Sequence, residues 1–236
     1  MFQKIVPVTR DAHQTKRIKS IDSFSFAKNI HMVSVMVHEF PRSSSIYPIV
    51  FLEDPEIKEF RPMALLGLEV QENVFVKPDG SWNASYIPAI IRRYPFALAR
   101  TDKEDQFTIC IDEGSELVNE NEGQPLFLED GSIGRVLEQV KEYLRSLQQM
   151  EQVTKQFCQF LKDKYMFTPL NMQVREANTV KNVTGAYAIH EEKLNNLSDD
   201  EFIEFRHKNY LPAIYNHLSS LAQIDRLVQY RAKKND

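Results

Sequence analysis

The sequence predicts an α+β fold: an antiparallel sheet built mainly from the N-terminal half, packed by long helices from the C-terminal half. Three observations predict it. Short Val-, Ile- and Phe-rich runs bounded by turn residues crowd into the first half of the chain. Apolar residues at helical spacing dominate the second half. No regular strand–helix alternation runs through the chain, as a parallel sheet would require.

Taken in order, residues 1–30 are mixed and polar, with a hydrophobic patch at Phe24 and Phe26. The run from His31 to His38, dense in Val and Met, reads as a buried strand, and Ser43–Ser45 as a turn. Tyr47–Leu52 reads as the next strand, with Pro48 confined to its start because it lacks an N–H for a ladder. Met63–Val70 and Asn73–Val76 continue a meander, and Gly67 marks a bulge or a close backbone approach. Lys77–Gly80 is a turn in which Pro78 presets φ and Gly80 accepts a positive one. Pro88 suits a first helical turn, and Pro95 ends that helix or starts another. Residues 106–112 return to strand, and the acidic stretch 113–122 to loop.

The clearest helix follows. Ile133, Leu137, Val140, Leu144 and Leu147 recur in alternating steps of four and three, which is one apolar stripe. Phe157 and Leu161 extend it to about Lys164, with Asp130 or Ser132 as its cap. It runs about thirty residues unbroken, or breaks near Met150. Residues 168–178 and 183–189 read as a strand pair punctuated by Gly185. Ser198 with Glu201 is a capping-box pattern that opens a helix carrying Phe202, Phe205 and Tyr210. Pro212 begins or kinks the last helix, whose apolar face is Ile214, Leu218, Leu221, Ile224, Leu227 and Val228.

The 236 residues are expected to form a single domain, 1–236, with a weak seam near 125–130 that no Pro/Gly/Ser linker reinforces. A hydrophobic content of 42% and a charged content of 26% are ordinary globular values. The net charge of −4 offers no domain-wide basic field, which argues against nucleic acid as a partner. The basic clusters Lys16, Arg17, Lys19 and Arg231, Lys233, Lys234 read as solvated charge near the termini. Cys110 and Cys158 each sit in apolar surroundings and read as small buried hydrophobes. The first residues lack a secretory signal, and no window approaches the roughly 18 apolar residues of a membrane span, so a cytoplasmic location is expected.

No nucleophile elbow, P-loop or dinucleotide fingerprint is present, and CxxC and HExxH spacings are absent. No metal or cofactor is expected. His190-Glu191-Glu192 reads as the solvated start of a helix, because adjacent side chains do not converge. His31 and His38 would point to opposite faces of their strand. Carboxylate pairs such as Glu53/Asp54 and Asp112/Glu113 lack the fixed separation that glycosidase chemistry needs.

The most distinctive block is 82–98. Trp82, Tyr86, Tyr94 and Phe96 accompany Arg92 and Arg93, a mixture that recurs in binding hot spots. The same residues also suit an aromatic core with two surface arginines. A binding surface here requires Trp82 or Arg93 to be accessible beside a groove.

These residues also carry a resemblance. Asn73–Trp82, Tyr86-Ile-Pro88 and Arg92-Arg-Tyr-Pro-Phe96 resemble the central signature of bacterial SapC proteins. Glu39-Phe40, Tyr47–Phe51, Gly123–Phe127, Glu129–Gly131, Tyr187–Leu194 and Ile214–Leu221 fit the same pattern, so the resemblance spans nearly the whole chain. It implies an association with a bacterial surface layer, from which the family takes its name. Family members are often encoded near flavin-dependent tryptophan halogenases, cupin-like hydroxylases and outer-membrane receptors, which implies the halogenase or hydroxylase gene products as partners. The resemblance carries over no catalytic residue.

Three functions follow as expectations. The first is a non-enzymatic accessory protein that binds a peptide or protein through Trp82, Tyr86, Arg92, Arg93, Tyr94 and Phe96. The second is an enzyme or small-ligand protein with a dispersed site drawn from His13, His38, Glu39 and Tyr47, which a pocket holding a His and a carboxylate in hydrogen-bond reach would favour. The third is a surface-layer component, for which the chain shows no repetitive lattice-forming pattern.

Overall fold

The structure, a computed structural model, describes residues 1–100, 107–176 and 179–235. Gln106 and residues 177–178, at the ends of two expected strands, lie outside the described residues, as do the side chains of Lys233 and Lys234. The chain opens with β1 (Ile5–Pro7), α1 (Arg10–His13), β2 (Arg17–Ile18), β3 (Met32–Ser34) and α2 (Phe40–Ser43). There follow β4 (Ile49–Glu53), β5 (Phe60–Leu65), α3 (Ala89–Arg92), β6 (Phe96–Arg100), β7 (Phe107–Asp112), β8 (Val118–Asn119) and β9 (Gln124–Pro125). The second half holds α4 (Arg135–Asp163), β10 (Phe167–Glu176), β11 (Thr179–Ile189), α5 (Glu191–Asn195), α6 (Asp199–His207), α7 (Leu211–Ser220) and α8 (Ile224–Asn235).

The fold is α+β, and every strand pairing among the described residues is antiparallel. The largest sheet runs β10-β11-β4-β5-β3, a second runs β1-β7-β6, and a small third runs β8-β2-β9. The N-terminal half supplies most strands, and the β10–β11 hairpin returns to the largest sheet by pairing Tyr187 with Phe51. Gly185, at φ 80°, lies on β11 beside the register shift between Leu170 and Met172, the punctuation that a bulge needs.

Several elements differ from the sequence expectation. The strand expected across His31–His38 stops at Ser34, and Val37–Glu39 form a 3₁₀ turn that leads into α2. Glu39 turns the chain there, because its Oε2 accepts the Met36 N–H at 2.9 Å. Ser43 ends α2 rather than sitting in a free turn. The strand expected at Met63–Val70 is β5, shifted to start at Phe60 and ended at Leu65. Beyond it Gly67 packs so closely that a Cβ would lie 2.2 Å from the Glu72 carbonyl oxygen. Asn73–Val76 contributes only an isolated bridge between Val76 and Trp82. The acidic loop 113–122 contains the short strand β8.

The long helix is one unbroken element of 29 residues, about 44 Å from end to end. Its N-cap is Gly134 rather than Asp130 or Ser132, and Ile133 lies outside it, 47% exposed. Asp130 instead holds its own turn by accepting from the Ser132 N–H and hydroxyl. The Ser198–Glu201 capping box opens α6 as expected, but only Phe205 of that helix is buried.

Among the described residues two apolar clusters fill the interior. The larger packs β4 and β5 against α7 and the C-terminal half of α4 through Phe40, Tyr47, Phe51, Phe157 and Ile214. The smaller gathers Phe96, Ile111, Leu126, Leu137, Leu144 and Leu147 under the N-terminal half of α4. Both cysteines are buried free thiols, and burial pushes the Cys158 thiol up to about 12. Among the described residues no helix is long and apolar enough to cross a membrane.

Candidate functional site

The segment 73–96 crosses the molecule between the two clusters, which divides the expected site residues among three places. Tyr94 and Phe96 enter the interior. Tyr94 stacks on Phe26 at 4.1 Å between ring centroids, and its hydroxyl donates to the Asp112 carboxyl at 3.2 Å. Phe96 belongs to the smaller core. Neither is available to a partner at the surface. Asp112 also accepts the Gln3 and Lys4 N–H groups at 3.0 and 2.7 Å, which ties the N-terminal segment down. Burial pushes its carboxyl up, but these hydrogen bonds outweigh that and hold it below the usual carboxylate value.

Trp82, Tyr86 and Arg92 stay together. The Trp82 indole N–H donates to the Tyr47 hydroxyl at 2.9 Å, and that hydroxyl donates to the Tyr86 carbonyl. Trp82 also stacks parallel to Phe75 and meets Phe24 edge-on. The Tyr86 hydroxyl donates to Glu39 Oε1 at 2.7 Å, which accepts the Ala89 N–H at 2.8 Å as well. Glu39 is only 1% exposed. One buried carboxyl therefore holds the 3₁₀ turn, the start of α3 and the Tyr86 ring in fixed relation. Burial first, and the Glu39 hydrogen bond second, push the Tyr86 phenol above its ordinary value.

The outer side of Tyr86 is cationic. The guanidinium carbons of Arg42 and Arg92 lie 5.7 and 5.6 Å from the Tyr86 ring centroid. Arg92 lies 5.7 Å from the Tyr143 ring of α4 as well, and its Nε donates to the Ile87 carbonyl at 2.9 Å. Both arginines are exposed. Neither forms an ion pair with any described residue, although ion pairs occupy Arg61, Arg145 and Arg231. His38 stands nearby, half-buried, and burial holds its imidazole below the ordinary value.

Arg93 turns away. It is partly buried, its guanidinium carbon lies 5.9 Å from the Phe2 ring, and it lines a cavity against α4. Desolvation lowers its pKa.

The dispersed set His13, His38, Glu39 and Tyr47 comes together only in part. Glu39 and Tyr47 meet through Tyr86, while His13 lies elsewhere, fully enclosed. His13 Nε2 stands 3.4 Å from Glu113 Oε1 without hydrogen-bond geometry. Among the described residues no group of three or more His, Cys, Asp or Glu is arranged to hold a metal. His190 caps α5 by accepting the Lys193 N–H, as its place at a helix start suggests. Sequence reasoning missed Arg42 and Tyr143. Arg42 follows the Glu39-Phe40-Pro41 stretch, and a basic residue there was the available signal.

Residues 8–227 match the family model described as SapC. No curated protein matches the chain, and no solved structure does.

Proposed function

The chain belongs to the SapC family, and from that premise we propose that it is a non-enzymatic accessory protein whose Tyr86 surface binds an acidic segment of a partner protein. The observation that carries this reading is the pair Arg42 and Arg92, set around one aromatic ring with no carboxylate partner among the described residues. Guanidinium forks match carboxylates in a bidentate way, and a ring between them supplies flat contact area at low entropy cost. The buried Glu39 and Tyr47 bonds pre-orient that ring, so little order has to be imposed when a partner arrives. An acidic segment is favoured over nucleic acid because the cationic patch is small and the chain as a whole is negative. Catalysis has less support, since the one His–carboxylate approach within 4 Å among the described residues, His13 to Glu113, is sealed from solvent on the His side.

A fluorescein-labelled hexaglutamate peptide, followed by anisotropy, tests the reading. Binding is expected to weaken with salt, and the double variant Arg42→Glu/Arg92→Glu is expected to lose at least about tenfold in affinity. Equal binding of a hexaglutamine peptide, or an unaffected double variant, would overturn it. The halogenases and hydroxylases encoded beside family members are the first full-length partners to assay. The reading places the protein in the cytoplasm. Recovery solely in the envelope fraction of fractionated cells would move it to the surface layer.

A further inference from the structure

Arg93 closes α3 one residue after Arg92, so its side chain leaves the helix on another side and reaches a cavity of about 200 Å³ against α4. Its Nε is shut off from water and has no acceptor, and the guanidinium has no ion pair among the described residues. The cavity floor is apolar, made by Ile90, Leu98, Leu144 and Leu147. Met36 and Phe107 add to the apolar lining, and Glu151 and Lys155 are the other charged groups among the described residues that line the cavity, beside the amides of Gln148 and Gln152.

We propose that this cavity binds a small monocarboxylate, its carboxylate received by Arg93 and its short apolar body by the Ile90–Leu98–Leu144–Leu147 floor. Three properties select that class. A guanidinium that lines the cavity with no ion pair among the described residues calls for a planar oxyanion, and a carboxylate fits the fork. Among the described lining residues, two cations against one carboxylate leave a single positive charge, which a monoanion balances and a dianionic phosphate exceeds. The volume lies below the roughly 300–1,000 Å³ of pockets for drug-sized ligands, which limits the body to about ten heavy atoms. The site is separate from the Tyr86 surface and stands or falls without it.

The test uses the full ¹⁵N-labelled chain. The Arg93 Nε–Hε resonance, assigned by its loss in Arg93→Lys, is followed during titration with benzoate, hexanoate, their neutral amides and inorganic phosphate. The expected result is a saturable shift of that resonance with a carboxylate and none with the amides or phosphate. Arg93→Gln is expected to weaken carboxylate binding by at least about tenfold, with folding checked by circular dichroism. Glu151→Gln, which keeps Arg93 and removes the opposing negative charge, is expected to tighten binding by about threefold or more. Absence of saturable binding, equal binding of the amide, a response to phosphate alone, or unchanged affinity in Glu151→Gln would each overturn the proposal.

Discussion

Glu39 accepts three hydrogen bonds while almost wholly enclosed, and two of its partners lie 47 and 50 residues away. Glu39→Gln keeps one acceptor oxygen but turns an amide donor toward a donor, so a loss of about 2–3 kcal/mol is expected in urea unfolding. His217 shows the opposite economy. It is neutral in the interior, with Nε2 accepting the Ile189 N–H at 3.0 Å and Nδ1 unpartnered among the described residues. Burial lowers its pKa from 6.5 to about 4. The folded state thus resists a proton that the unfolded chain accepts. Stability is full above about pH 6.5 and falls as the pH drops toward 4, by about 3 kcal/mol at the lower end. His217→Gln, which retains an acceptor without titrating, is expected to flatten that part of the stability–pH curve. At this scale the sequence was informative about type and silent about company. Trp82, Tyr86 and Arg92 stood out by composition, but nothing local to Glu39 announces a contact fifty residues on. Tyr94 and Phe96 looked like their neighbours and yet point inward, because the segment dives between two cores.

Among the elements, α4 was legible in the sequence because its stripe of leucines obeys helical spacing over many turns. Its start was not. Asp130 and Ser132 are good caps by type, yet they serve their own turn. Gly134 begins the helix because a Cβ there would stand 2.3 Å from the Pro125 carbonyl oxygen and 2.9 Å from that of Leu126. Gly134→Ala must therefore push α4 off the β9 segment. A drop in melting temperature of roughly 5 °C or more is expected, equivalent to about 2 kcal/mol, read by thermal circular dichroism. An unchanged melting temperature would show that the helix start yields freely. The His31–His38 run was misread for a related reason. Val and Met carry no mark that separates a buried strand from a buried turn, and the turn is made by the carboxyl of Glu39.

For the molecule as a whole, α4 is the common wall of both apolar clusters, with Leu144 in one and Phe157 in the other. Leu144→Ala and Phe157→Ala are each expected to cost roughly 3–5 kcal/mol. Each should move a single calorimetric peak without splitting it, because neither cluster can release α4 alone. Two peaks in either variant would show separable units. The α+β class was readable from the order of strand-rich and helix-rich stretches, whereas the division into two cores was not, since it depends on which residues one helix spans. The setting of Trp82 has a practical outcome of its own. It is the one tryptophan in the chain, and its indole is bonded to the hydroxyl that also holds the Tyr86 carbonyl. The protein thus carries an intrinsic optical reporter wired to its candidate docking surface. A change in emission wavelength or quantum yield on adding a partner would register occupancy in real time, with no label attached.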